Sequence, residues 1–381
     1  MKEKYNLGEQ KITVAVDARP FAYGMTGNSR YLYEVLKILG TTKPNIQFLL
    51  LSHKPIHSIF RNLLEYKNIS IVSEKSFIPG PIWLHFVLPF YAIKHKANLI
   101  WGSLQLLPLI YKFCPMIVNY HDLNFISAPQ TMARWNFWQH RLLSGITIRK
   151  ADSILCLSQN TKNDISAFIP EASSKCRVVY PGVSIANKKI KKTKGINSSE
   201  IKFGKFIFTL GTLEPRKNIK TLIQAYLDLK VKIPKFPLSL LIAGRAGWGL
   251  EGEELLTTLR SGALESKNVY FIENPSDTVL DELYKSCSVF AFPSLHEGFG
   301  LPLLEAMKEN KNCIASDIPI FKEILSPNYD ILVPPLNQME WTNALKSFLK
   351  NPPKPRRWNS KEWTWYATAT KIGEEIEICS R

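Results

Sequence analysis

Short apolar runs alternate along this chain with segments of helical spacing. Lys11 to Val16, Gln47 to Ser52, Ile69 to Val72, Leu99 to Gly102, Pro115 to Tyr120, Ser153 to Ser158 and Cys176 to Tyr180 read as strands. They are rich in Val, Ile and Leu and bounded by turn residues, as strands buried on both faces are. After the first strand and a loop carrying Gly24 and Gly27, Asn28 to Leu39 places Tyr31, Leu32, Val35, Leu36 and Leu39 at helical spacing. A second series comprises Phe206 to Leu210, Leu238 to Ala243, Val269 to Ile272, Val289 to Phe292, Cys313 to Ala315 and Asp330 to Val333, with a helix predicted over Ile219 to Leu229. Such β-α alternation predicts an α/β protein of two doubly wound, Rossmann-like domains facing across a cleft. Ligands of such sheets sit beyond the C-terminal strand ends, so the cleft is the expected active site.

The boundaries follow from texture. After Pro181-Gly182 the chain reads NKKIKKTKG from Asn187, with five lysines and no core pattern. This divides the chain into a first domain over 1–185, a basic linker over 186–203 and a second domain over 204–357. A terminal segment over 358–381 follows the breakers Pro352, Pro353 and Pro355, with a helix predicted from about Lys361 to Glu377.

Composition narrows the class. The 381 residues suit two or three domains, and 45% hydrophobic with 21% charged residues is globular rather than disordered. No run of 18 apolar residues and no apolar leader predict a cytoplasmic protein without a membrane span. The six cysteines form no C-x-x-C pair and have no histidine at zinc-finger spacing, so they read as small buried hydrophobes with no structural metal. Lys plus Arg number 49 against 32 Asp plus Glu, a formal charge of +17, which calls for an acidic partner. The largely apolar run Ile82 to Ile93 leads into Lys94-His95-Lys96. Its lack of polar alternation predicts a helix packed on the first sheet; the alternative is a segment lying in a membrane surface. Trp135, Phe137 and Trp138, near Arg134 and Arg141, pose the same choice.

The strongest chemical signal runs from Phe292 to Met307. After an apolar strand come Glu297, Gly298, Phe299, Gly300, Leu301 and Pro302, then Glu305. The glycines bring bare N–H groups close to a ligand, and Pro302 is placed as the first residue of a helix whose start attracts anions. Glu297 lies in the loop and Glu305 is expected in the first turn; a carboxylate accepts two hydroxyl hydrogen bonds and so suits a sugar diol. A second signal is Gly211-Thr212-Leu213-Glu214-Pro215-Arg216-Lys217-Asn218. Adjacent cations at a strand end suit a diphosphate; the bland alternative is a solvated basic turn. His121 ends a strand of the first domain, and Gly27 lies in its first βα loop. One motif is a decoy. Gly247 to Gly252 matches G-x-G-x-x-G, but the preceding strand ends at Gly244, three residues too early for a dinucleotide turn. No D-x-D triplet exists to clamp a metal-bound diphosphate.

Taken in order, D-A-R-P with T-G-N-S-R-Y (Asp17 to Tyr31), Y-H-D-L (Tyr120 to Leu123), A-D-S-I-L-C-L-S (Ala151 to Ser158), Y-P-G-V (Tyr180 to Val183), G-T-L-E-P-R-K-N, G-R-A-G-W (Gly244 to Trp248) and E-G-F-G-L-P-L-L-E resemble the GT-B glycosyltransferases of family 4 over nearly the whole chain. Within them the chain is most similar to bacterial mannosyltransferases of O-antigen and lipopolysaccharide assembly. The resemblance implies retaining, metal-independent transfer of a hexose, mannose from GDP-mannose, to a glycan or lipid-linked acceptor; UDP-sugar glucosyl or galactosyl transfer is the alternative. It makes the first domain the acceptor side, the second the nucleotide-sugar side, and the segment around Trp365 to Ala369 a closing helix on the first. It assigns Arg216 and Lys217 to the donor diphosphate, Glu297 and His121 to the transferred sugar, and Glu305 to the ribose. It also implies that Gly298, Phe299, Gly300, Leu301, Gly211, Thr212 and Gly27 line the donor. Asn310 and Asn312, and Glu273-Asn274, depart from the Gly-containing pattern of similar sequences near the base pocket. A nucleic-acid binder is the rival class, but the densest basic run, Lys188 to Lys194, lacks aromatics, so no nucleic-acid partner is expected. A dead scaffold is expected to lose Glu305 or the cation pair, and all three residues are present. An anionic inner membrane surface carrying a lipid-linked acceptor accommodates the remaining positive charge.

Overall fold

The computed structural model describes residues 11–74, 78–127, 129, 134–183, 204–247, 249–358 and 363–381. The expected linker over 186–203 lies outside them, as does Trp248. The chain forms two compact units, Met1–Ser184 with Lys361–Arg381, and Ile185–Ser360.

In the first unit the strands are β1 (Ile12–Asp17), β2 (Ile46–Leu51), β3 (Ile69–Ser73), β4 (Leu99–Gly102), β5 (Met116–Tyr120), β6 (Ser153–Cys156) and β7 (Cys176–Val178). They form one parallel sheet in the order β3-β2-β1-β4-β5-β6-β7. Its helices are α1 (Gly27–Thr42), α2 (Gly80–Lys94), α3 (Asn124–Ser127), α4 (Arg134–Lys150) and α5 (Gln159–Phe168). Strands such as β4, β5 and β6 are buried at every residue, which is why their sequences show no alternation. The second unit repeats the plan with β8 (Phe206–Leu210), β9 (Ser239–Gly244), β10 (Val269–Glu273), β11 (Val289–Phe292), β12 (Cys313–Ser316) and β13 (Ile331–Val333). Their parallel order is β10-β9-β8-β11-β12-β13. Helices α6 (Ile219–Lys232), α7 (Leu250–Arg260), α8 (Asp277–Ser286), α9 (Leu301–Lys308), α10 (Pro319–Ile324) and α11 (Gln338–Lys350) belong to it. The strand order turns back between β1 and β4 in one sheet and between β8 and β11 in the other. The loops leaving those neighbours diverge and open a crevice.

The chain then returns to the first unit as α12 (Trp365–Cys379). Thr364 caps this helix through Ala367 N–H, and Val183 pairs with Thr364 as an isolated bridge. Trp365 is buried with its ring edge-on to Tyr31, Thr368 Oγ1 donates to Tyr180 O at 2.7 Å, and Lys43 pairs with Glu377 at 2.8 Å.

The run at 82–96 is helical but two-faced. Trp83, Leu84, Leu88 and Ala92 are fully buried, whereas Ile82, Phe86, Phe90 and Ile93 are 51%, 58%, 60% and 48% exposed. Packing on the sheet therefore accounts for one face only. Two departures from the Gly-containing pattern also resolve. Asn274 (φ +49°) and Asn310 (φ +58°) are left-handed, the conformation that asparagine tolerates best after glycine.

Gly182 leaves no room for a side chain, because a Cβ there would collide with the backbone of Thr364 and Trp365. Gly182→Ala should cost about 3 kcal/mol by overpacking this seam. Hydrogen exchange should then show α12 losing protection before the sheet does.

Candidate functional site

The cation pair lies at the β8–β11 crevice. After β8 the chain runs through Gly211 and Thr212 into a short 3-10 turn, Pro215–Lys217, and left-handed Asn218 (φ +52°) redirects it into α6. After β11 it runs from Pro293 to Gly300. The two loops are sewn together. Leu295 N–H donates to Arg216 O at 2.8 Å, and Arg216 Nη1 donates to His296 O at 3.0 Å. Asn218 Nδ2 donates to Pro293 O at 3.1 Å and to Pro335 O at 2.8 Å.

Glu297 sits between the cations. Its Oε2 accepts from Arg216 Nη1 at 2.8 Å and its Oε1 from Lys217 Nζ at 2.5 Å. Glu214 Oε1 takes Arg216 Nη2 at 2.6 Å, and the Lys217 ammonium lies 5.0 Å from the centre of the Phe292 ring. The four charged side chains are only 10% to 20% exposed. This is no solvated basic turn. Two cations and two carboxylates cancel formally. Arg216 carries five N–H donors and Lys217 three. The bonds above leave Arg216 Nε–H, one Nη2–H and two Lys217 N–H groups for a ligand.

Burial alone would raise the Glu297 pKa, but Lys217 and Arg216 outweigh it and bring it down to about 2. Burial opposes the charge of Arg216, yet Glu297 and Glu214 push its pKa above the ordinary value. Burial draws Lys217 below its ordinary value, with Glu297 opposing.

Around this cluster, a Cβ on Gly211 would stand 3.3 Å from Lys217 Cγ and Cδ, so this glycine makes room for the lysine stem. Thr212 Oγ1 accepts from Arg245 Nε at 3.4 Å. Gly298 is half-buried, Phe299 is buried and anchors its loop, and Gly300 (φ +113°) is the N-cap of α9. Two expectations are corrected here. Left-handed Gly300 starts the helix at Leu301, so Pro302 is its second residue, not its first. Glu305 thereby moves out of the first turn into the second, where it is half-buried.

His121 and Gly27 belong to the first unit. His121 follows β5 with Nε2 3.3 Å from Ser103 O and its ring edge-on to Tyr31; burial lowers its pKa, so the ring is neutral near neutral pH. Gly27 opens α1, and a Cβ there would meet no atom within 4 Å. Among the described residues no group of three metal-ligating side chains gathers. Two contributors went unassigned in the sequence, Glu214 and Asn218. The only signal was their place in the same run as Arg216 and Lys217.

Comparison with known proteins gives the class. Residues 29–187 match the family described as Glycosyltransferase Family 4, and residues 191–363 match Glycosyl transferases group 1. The chain belongs to these families: it is a glycosyltransferase of the GT-B fold. It is 25% identical over 296 residues to the O-antigen chain mannosyltransferase RfbU of Salmonella typhimurium, covering 77% of each chain. It is 24% identical to the O-antigen chain mannosyltransferase B of Escherichia coli, covering 80% of this chain and 82% of that one. A Campylobacter jejuni N-acetylgalactosaminyltransferase, whose name specifies a diphospho-undecaprenol acceptor, is 25% identical across 94% of this chain and 95% of its own. Among solved structures, sucrose-phosphate synthase from Thermosynechococcus elongatus shares the fold with a TM-score of 0.69 at 17% identity, covering 96% of this chain and 98% of that one.

The carboxyl of Glu297 loses its proton more readily in the folded chain than in the unfolded one. Its stabilisation is therefore full above the ordinary pKa of 4.5 and is lost as pH falls towards about 2. Glu297→Gln should cost about 3 kcal/mol near neutral pH, because it breaks a part-buried ion pair. Urea unfolding should show that difference shrinking at about pH 3.

Proposed function

We propose that this glycosyltransferase moves mannose from GDP-mannose to a glycan or lipid-linked acceptor in cell-surface polysaccharide assembly. The reaction retains configuration at the anomeric carbon, needs no divalent metal and takes place in the cytoplasm. The observation that carries the reading is the Arg216–Lys217 pair held by Glu297 where the sheet order reverses, a placement suited to a diphosphate. The sugar is suggested by the mannosyltransferase relatives, and a lipid-linked acceptor by the Campylobacter jejuni relative's name.

In this mechanism the bond from the sugar's C1 to the diphosphate oxygen breaks, and its electron pair leaves with the nucleoside diphosphate. Positive charge builds on the ring and negative charge on the leaving oxygen. The free N–H groups of Arg216 and Lys217, with the start of α9, neutralise the latter without moving. The acceptor oxygen bonds C1 on the face that the leaving group vacates, and its proton passes to the departing phosphate. Glu305 serves the ribose, and Gly298 to Leu301 present backbone to the donor.

Arg216→Ala should lower kcat by a factor of about 100 to 1,000, the range for removing one preorganised charge donor. Lys217→Met should fall in the same range. Transfer should survive EDTA undiminished; complete loss would overturn the metal-free step. In a thermal-shift series, GDP present at about 100 times its Kd should add about 2.7 kcal/mol. A larger shift with UDP at matched concentration would replace GDP-mannose with a UDP-sugar as donor.

A further inference from the structure

Helix α6 opens on an asparagine whose side chain does not cap it. Asn218 stands at the N-cap in the left-handed conformation (φ +52°), and no side-chain bond to the helix backbone is made. An N-cap asparagine ordinarily accepts an N–H of the first turn through Oδ1. Here Oδ1 accepts from Thr221 Oγ1 at 2.6 Å, and Nδ2 is turned to other loops. It donates to Pro293 O at 3.1 Å and to Pro335 O at 2.8 Å, residues 75 and 117 positions further along the chain. An amide nitrogen carries two hydrogens, so both are used.

Pro293 is the first residue after β11, and Pro335 the second after β13. One side chain thus joins the loops that leave β8, β11 and β13. The ladder cannot do this by itself, because β12 stands between β11 and β13 and β11 stands between β8 and β12. Both acceptors belong to prolines, whose rings fix φ and remove one rotation by which either carbonyl would turn away. Glycine accepts the backbone conformation of Asn218 without supplying the donors. Aspartate accepts it too, but sets oxygens against the two prolyl oxygens.

The residue directly before Asn218 is Lys217. Lys217 N–H donates to Glu214 O at 2.9 Å and Asn218 N–H to Pro215 O at 3.0 Å, which closes the turn that carries both cations. Leu295 N–H holds that turn at Arg216 O, and the Asn218 side chain holds it at the other end. Between these anchors the Lys217 ammonium is placed against Glu297 Oε1 and beside the Phe292 ring. With the second anchor removed, the turn pivots on the first and the ammonium leaves that place.

We propose that Asn218 is a positioning residue for glycosyl transfer, which sets Arg216 and Lys217 by pinning their turn to the loops after β11 and β13 and acts through these cations rather than on the substrate. This rests on the reading of the cation pair as the partner of a donor diphosphate. It adds the loop after β13 to the elements that this site requires.

The test uses the full chain, Asn218→Gly and Asn218→Asp, each also combined with Lys217→Met. Aspartate keeps the shape of the side chain and the left-handed backbone, so it controls for any loosening of α6 by glycine. The first readout is acetylation of Lys217 by acetic anhydride without ligand, followed by peptide mass, with Lys112 of the first unit as the internal reference. The Lys217 side chain is only 12% exposed and should react slowly in the unaltered protein. Both variants should acetylate it about tenfold faster, the change expected where one hydrogen bond's contribution to the clamp is lost. The second readout is release of GDP from GDP-mannose. Both variants should lower kcat by about 100-fold with little change in KM, as a misplaced catalytic group does. In the Lys217→Met background the same substitutions should cost no more than about threefold, because changes that act through one group are not additive. Acetylation of Lys217 at the unaltered rate in both variants overturns the proposal, and so does a fully additive loss of kcat, which a merely structural role would give. If the unaltered protein releases no GDP, the donor reading fails, while acetylation still decides whether Asn218 places Lys217.

Discussion

One carboxylate between two cations holds the β8–β11 crevice in shape. Arg216 and Lys217 are neighbours in sequence and would repel if both faced the same small space unpaired. Glu297 lets them converge, and Glu214 fixes the far side of the guanidinium. The loops after β8 and β11 are thereby joined through side chains as well as backbone. Fixing two long basic side chains before a ligand arrives pays their conformational entropy during folding. The remaining N–H groups then point from fixed positions, which is what stabilising a developing charge requires. A pair left loose would have to be ordered in each turnover.

Formal neutrality of this cluster follows from the same arrangement. An isolated cation pair at this depth would be costly in the absence of a ligand. With two carboxylates present, the charges are balanced by the protein itself and N–H donors remain. In the proposed function a diphosphate is recognised here by direction and hydrogen-bond capacity as much as by net charge.

Much of the architecture could be read from the residues. Leu99–Gly102, Phe206–Leu210 and Val289–Phe292 are strands with the expected limits, because a run buried on both faces admits no polar residue at its ends. The helix after Gly300 was harder. A proline marks a helix start only to within a residue, and the left-handed Gly300 decided which one. Arg216, Lys217 and Glu297 could each be picked out, but not their mutual clamp. Arg216 and Lys217 lie 81 and 80 positions before Glu297, and the adjacency of β8 and β11 brings them together. Strand order is set by packing over the whole sheet, and no local pattern encodes it. The α2 run misled differently. Hydrophobicity all round a helix normally means burial all round. Here Trp83, Leu84 and Leu88 meet the sheet, while Phe86 and Phe90 meet no core.

That asymmetry bears on the charge of +17. The donor cluster absorbs none of the excess, since its two cations are matched by two carboxylates. In the first unit Arg19 is likewise matched by Asp17, whereas Lys54 has no such partner among the described residues. Charge left unpaired beside exposed Ile, Phe and Trp does little for folding, because those side chains gain nothing from a lysine standing in water. The excess of basic residues is therefore not explained by the paired cations at the β8–β11 crevice.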